Sequence, residues 1–134
     1  MTMRVLIVDD DRDHAESIAD VLVWRGCEVE LAFSGEEAVD KFRNASFEFV
    51  LMDIKLPGID GIEVFFECKK IRAQPNILLM TGYSLDHLAR RALEGGALGV
   101  LQKPFAMQEI FDVVQRIAGQ TPSALVHPTA IRVH

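Results

Sequence analysis

A chain of 134 residues is long enough for one domain with a real core and too short for two ordinary ones. Its 20 acidic residues outnumber 14 basic ones for a net charge of −6, which argues against gripping a nucleic acid backbone directly. No apolar stretch approaches the length needed to cross a membrane and the first residues lack signal-peptide anatomy, so a cytoplasmic protein is expected, with Cys27 and Cys68 as reduced thiols.

Short apolar runs alternate with amphipathic stretches along the chain. Residues 4–8, Arg-Val-Leu-Ile-Val, form a run suited to a strand buried on both faces. From about Arg12, the residues Ala15, Ile18, Ala19 and Leu22 recur at helical spacing, and Gly26 supplies a stop. Cys27, Val29, Leu31 and Phe33 alternate with other residues, as in a strand nearer a sheet edge. Ser34-Gly-Glu-Glu37 resembles a capping box and opens a second helix containing Ala38, Val39 and Phe42.

A third strand is expected from Phe49 to Met52 and a third helix from near Gly61 to Arg72. The fourth strand is Ile77 to Met80 and the fourth helix Leu85 to Glu94, stopped by Gly95-Gly96. Gly99 to Gln102 makes a short fifth strand, and Met107 to Ala118 the last helix. Five such βα units predict a doubly wound, three-layer (βα)5 α/β fold around a parallel sheet, with strand order 2-1-3-4-5. The expected domain covers residues 1–118, leaving 119–134 as a C-terminal tail or the start of a linker. That remainder is too short for a DNA-binding domain.

In sheets of this kind ligands bind beyond the carboxyl ends of the strands. The first strand ends in Asp9-Asp10-Asp11, the third in Asp53, the fourth in Thr81-Gly82 and the fifth in Lys103-Pro104. Two or three carboxylates, a hydroxyl and a lysine therefore face one pocket. Crowded carboxylates repel one another, and a hard divalent cation such as Mg²⁺ relieves that repulsion better than zinc would, since no His or Cys is offered. An aspartate beside such a cation can act as an oxygen nucleophile toward phosphorus and form an acyl phosphate. Asp53 stands alone on a central strand opposite the acidic pair, which makes it the candidate acceptor.

These pieces resemble the receiver domain of two-component response regulators over roughly Met3 to Ala118. The matching residues are Val8-Asp9-Asp10, Met52-Asp53 through Lys55, Leu56, Pro57 and Gly58 to Gly61, Met80-Thr81-Gly82, and Lys103-Pro104-Phe105. The resemblance implies a flavodoxin-like three-layer sandwich and phosphorylation of Asp53 by a sensor histidine kinase or a histidine phosphotransfer protein. It implies Mg²⁺ held by Asp10, by Asp53 and by the backbone carbonyl of Lys55, with Asp9 acting mainly through water. It further implies that Thr81 and Lys103 contact the phosphoryl oxygens and that Lys103-Pro104 is a cis peptide. It implies a phosphoacceptor switch rather than an enzyme, acting beyond its own phosphorylation and autodephosphorylation only through an output partner or a phosphorylation-dependent homodimer. Val100 departs from the family pattern, which places an aromatic residue three positions before the lysine. Tyr83 and Lys55 are expected to flank the path of the hydrolytic water.

Other residues have simpler readings. Asp11 is expected to serve the start of the first helix and Asp60 a turn or cap. Cys27 and Cys68 read as small core hydrophobes, and His14 and His87 as surface residues without partners. Trp24 and Phe66 are either exposed contact residues or edge-of-core packing. Two rival functions have specific obstacles. A small Mg²⁺-dependent aspartyl phosphatase would carry a second aspartate two residues after the first, where Lys55 stands. A flavin-binding carrier would need a phosphate-cradling loop after the first strand, where Asp9-Asp10-Asp11 would repel phosphate.

Overall fold

The computed structural model describes residues 2–82 and 87–119. Strands and helices alternate as β1 (Arg4–Val8), α1 (Arg12–Trp24), β2 (Glu28–Ala32), α2 (Gly35–Asn44), β3 (Phe49–Asp53), α3 (Gly61–Ile71), β4 (Ile77–Thr81), α4 (His87–Glu94), β5 (Gly99–Gln102) and α5 (Met107–Ala118). All neighbouring strands are parallel, in the order β2-β1-β3-β4-β5. Among the described residues no helix is long and apolar enough to cross a membrane.

Alternate side chains of each strand feed two separate cores. Val5, Ile7, Leu51, Leu78, Met80 and Leu101 pack against Ala15, Ile18 and Leu22 of α1 and Ile110 and Val113 of α5. Leu6, Val8, Val50, Met52, Leu79 and Val100 face the other way, onto Phe42 of α2, Phe65 and Cys68 of α3, and Ala89 and Ala92 of α4. Both β3 and β4 are buried at every residue, the reason their sequences are continuous apolar runs. Edge strand β2 has only Ala32 fully buried, which accounts for its mixed pattern.

Local signals set the helix boundaries. Asp11 caps α1 by accepting a hydrogen bond from the His14 N–H at 3.1 Å. Gly26, just past the end of that helix, adopts φ 97°, a left-handed conformation that glycine reaches without steric strain. Ser34 accepts from the Glu37 N–H at 3.2 Å, but the Glu37 carboxylate reaches past the cap to the Phe33 N–H, at 2.8 Å. The full reciprocal box sits instead at α3, between Asp60 and Glu63. The expected start of the fourth helix at Leu85 lies outside the described residues. Trp24 is 83% exposed, whereas Phe66 is half-buried and meets Phe65 edge-on at a centroid distance of 5.1 Å.

Two strands run one residue further than their apolar runs predicted. Asp53 pairs with Met80 in the ladder, and Thr81 pairs with Gln102. Both polar residues are thus fixed by the sheet itself rather than by a loop. The start of α3 is pressed against the same place. The Gly61 N–H donates to the Ile54 carbonyl at 2.7 Å, and a Cβ at Gly61 would lie 2.7 Å from Ile54 Cα and collide with the Asp53 carbonyl oxygen. Since the opposing atoms are backbone, neither can swing away. Gly61→Ala is therefore expected to lower stability by about 2 kcal/mol, read as a lower midpoint in chemical denaturation; an unchanged midpoint would mean that this approach is looser than described.

Candidate functional site

Four strand ends converge on one side of the sheet. The Asp9 N–H donates to the Ala32 carbonyl at 3.0 Å, which carries the β1 path one residue beyond Val8 and buries the Asp9 carboxylate completely. Asp10 follows and is exposed. Asp53 and Thr81, at the ends of β3 and β4, retain only 7% and 6% exposure. Asp9, Asp10 and Asp53 each offer a carboxylate oxygen, and these oxygens lie within 4.8 Å of one another. Asp11 is not among them, because its side chain is spent on the helix cap.

Lys103 completes the group from the β5–α5 connection. Its backbone N–H donates to the Thr81 carbonyl at 2.7 Å, and the Lys103-Pro104 peptide is cis, as the family resemblance implied. The ammonium lies 2.7 Å from Asp53 Oδ2 and 3.5 Å from Asp9 Oδ2. The second Asp53 oxygen, Oδ1, accepts from the Lys55 N–H at 3.1 Å. An all-oxygen set of three close carboxylates suits a hard divalent cation such as Mg²⁺.

One residue at this site has a different place from the one expected. His14, read from the sequence as a surface residue without a partner, puts Nδ1 2.6 Å from Asp9 Oδ2. Helical periodicity does not reveal the contact, since Asp9 lies on the strand side of the turn before α1. The available signal was the short spacing between a strand-end aspartate and a histidine in the first turn of the next helix. His87 is exposed, as expected. Cys68 is buried in the core, and burial pushes its thiol up to about 12; Cys27 is half-buried at the edge of the other core. Val100 is fully buried on the α2–α3–α4 side, so no ring occupies the position where the family usually has one. Tyr83 lies outside the described residues.

Residues 5–115 match the family model described as the response regulator receiver domain. A response regulator receiver protein of Anaeromyxobacter sp. (strain Fw109-5) is 36% identical over 110 residues, which cover 82% of this chain and 46% of that protein. The chain spans about half the length of the curated relatives it matches. A CheY-like receiver domain protein from Methanospirillum hungatei superimposes with a TM-score of 0.82 at 31% identity, covering 87% of this chain and 93% of the other. The response regulator protein TrrA from Thermotoga maritima, solved in complex with Mg²⁺–BeF, gives 0.77 at 32% identity, covering 87% and 99%.

Burial is the largest influence on the Asp53 carboxyl and pushes it above the ordinary aspartate value. Lys103 and the Lys55 N–H pull it back without overcoming that, and the charge on Asp9 adds to the rise. Burial alone would lower Lys103, but its contacts with Asp53 and Asp9 outweigh it and hold the ammonium above its ordinary value. The ammonium gains from the pair, while the carboxylate still loses overall, being the deeper partner with 9% side-chain exposure against 26%. The folded protein thus binds the Asp53 proton more tightly than the unfolded chain does. Ionised Asp53 lowers stability above its folded pKa, and this penalty vanishes below the unfolded value. Without divalent cations, Asp53→Asn is expected to raise the thermal midpoint at pH 7, with a gain that shrinks as pH falls through the carboxylate range. An equal or lower midpoint at pH 7 would contradict the raised pKa.

Proposed function

The chain belongs to the response regulator receiver domain family, and on that premise we propose that Asp53 is its phosphoryl acceptor, supplied by the phosphohistidine of a sensor kinase or a phosphotransfer protein. The observation that carries this reading is the buried Asp53 carboxylate, ion-paired to Lys103 and grouped with Asp9 and Asp10 at the strand ends. In the transfer, an Asp53 oxygen forms the new O–P bond as the P–N bond to the donor imidazole breaks, the electron pair leaving with the imidazole.

Lys103, already 2.7 Å from Asp53, meets the charge that arrives with the phosphoryl group. Thr81, at the neighbouring strand end, donates its hydroxyl to a phosphoryl oxygen. The Lys55 N–H holds Asp53 Oδ1 and so fixes the plane of the carboxylate. Asp10, Asp53 and the Lys55 carbonyl would hold Mg²⁺, with Asp9 acting through water. Bound there, Mg²⁺ supplies the positive charge that three clustered carboxylates and a phosphoryl group require.

This is a signalling domain, and loss of the phosphoryl group to water is its only other reaction in this reading. We read residues 1–118 as the receiver domain, acting in the cytoplasm, with its effect passed to an output partner or to a second phosphorylated copy. The phosphatase and flavin-carrier alternatives are not favoured: Lys55 stands where the phosphatase acid would be, and the acidic turn after β1 would repel a flavin phosphate.

Incubation with acetyl phosphate and Mg²⁺ is expected to add one base-labile phosphoryl group, seen in the intact mass. Asp53→Asn is expected to show none, and ordinary labelling of that variant would end the assignment of Asp53. In a Mg²⁺ titration, Asp10→Ala is expected to lose most of the binding and Asp11→Ala little of it, because only Asp10 faces the cluster. Equal losses would place the metal ligands elsewhere in the acidic run.

A further inference from the structure

His14 is the nearest side-chain partner of Asp9, yet nothing in the proposed transfer uses it. Asp9 is fully buried, and a buried carboxylate requires hydrogen-bond donors at both oxygens. Oδ1 accepts from the Asp11 N–H at 3.0 Å. Oδ2 lies 2.6 Å from His14 Nδ1 and 3.5 Å from the Lys103 ammonium. A carboxylate oxygen accepts, so the imidazole tautomer that carries its proton on Nδ1 is the one that bonds Oδ2 at this distance. The ring also meets Phe105, edge-on with a centroid distance of 6.0 Å. Phe105 follows Lys103-Pro104 directly, so one imidazole touches both the acidic turn after β1 and the segment that carries the lysine.

We propose that His14 is a positioning residue for the cation pocket: its Nδ1–H competes with Lys103 for Asp9 Oδ2, so that the ammonium stays at 3.5 Å there against 2.7 Å from Asp53, and it holds the Asp9 carboxylate in the orientation a hydrated cation needs. This inference rests on the Mg²⁺ reading of the pocket given above. Without the imidazole donor, the Lys103 ammonium at 3.5 Å is a side-chain partner at hand for Asp9 Oδ2 among the described residues. Their existing contact then tightens into a full charge-assisted bond and draws the ammonium off Asp53. Both carboxylates change their presentation, although His14 itself touches neither phosphate nor metal. Hydrogen-bond partners of this kind typically control metal affinity by about 10- to 100-fold.

The test is a Mg²⁺ titration followed by the amide shifts of Asp9, Asp10 and Asp53, comparing the wild type with three variants. His14→Asn keeps a donor where Nδ1 stands, His14→Gln moves it to the place of Nε2, and His14→Leu removes it. The expected result is binding near that of the wild type for Asn and about tenfold weaker binding for Gln and Leu. Labelling by acetyl phosphate in Gln and Leu should then need about tenfold more Mg²⁺, while its rate at saturating Mg²⁺ returns toward the wild type. The same spectra report folding, and if Leu does not fold the contrast between Asn and Gln decides. Gln and Leu binding as tightly as the wild type, or Asn binding as weakly as Leu, would overturn the role of His14 and leave the phosphoacceptor reading standing. A wild type whose pocket amides do not respond to Mg²⁺ would remove both.

Discussion

The contact between Lys103 and Asp53 spans the width of a strand. Asp53 ends β3 and Lys103 follows β5, and β4 lies between them in the sheet. The ammonium crosses that gap to 2.7 Å only because its own backbone is tied to the end of β4, through the hydrogen bond from its N–H to the Thr81 carbonyl. Three strand ends are thereby locked in one small region. Asp53 is the more deeply buried partner, and its desolvation offsets much of what the ion pair contributes.

The rest of the architecture holds those strand ends still. Two apolar cores clamp the sheet from opposite faces, and β3 and β4 have no exposed residue along their lengths. Asp53 and Thr81 are members of the ladder, so their positions follow from strand register rather than from loop conformation. Gly61 lets α3 start directly against the Asp53 backbone. Binding groups carried on such rigid elements lose little entropy when a ligand arrives.

Charge is the unfinished part of the site. Three carboxylates meet one ammonium, and burial already pushes one of them toward its protonated form. The protein answers part of that surplus with the backbone N–H groups of Asp11 and Lys55 and with the His14 imidazole. What is left favours a cation, and a phosphoryl group is best held when cation and lysine act together. Crowding that weakens the fold is thus the same crowding that gives the pocket its chemistry.

Much of this was legible in the residue order. Alternating apolar runs and amphipathic stretches determined five βα units, and turn residues such as Gly26 and Asp60 marked where helices begin or end, since these depend on local backbone preference. The strand-end rule then led to Asp9, Asp10, Asp53, Thr81 and Lys103 before any distance was known. The helix-start preference already set Asp11 apart from Asp9 and Asp10, and the tertiary structure agrees, with Asp11 on the cap and the other two in the cluster. Only the tertiary structure decided the last rungs of β3 and β4, where ladder pairing carries polar residues that apolar periodicity does not count. The His14–Asp9 contact belongs there too. It joins residues on either side of a strand-to-helix turn, and no periodic pattern runs through such a turn.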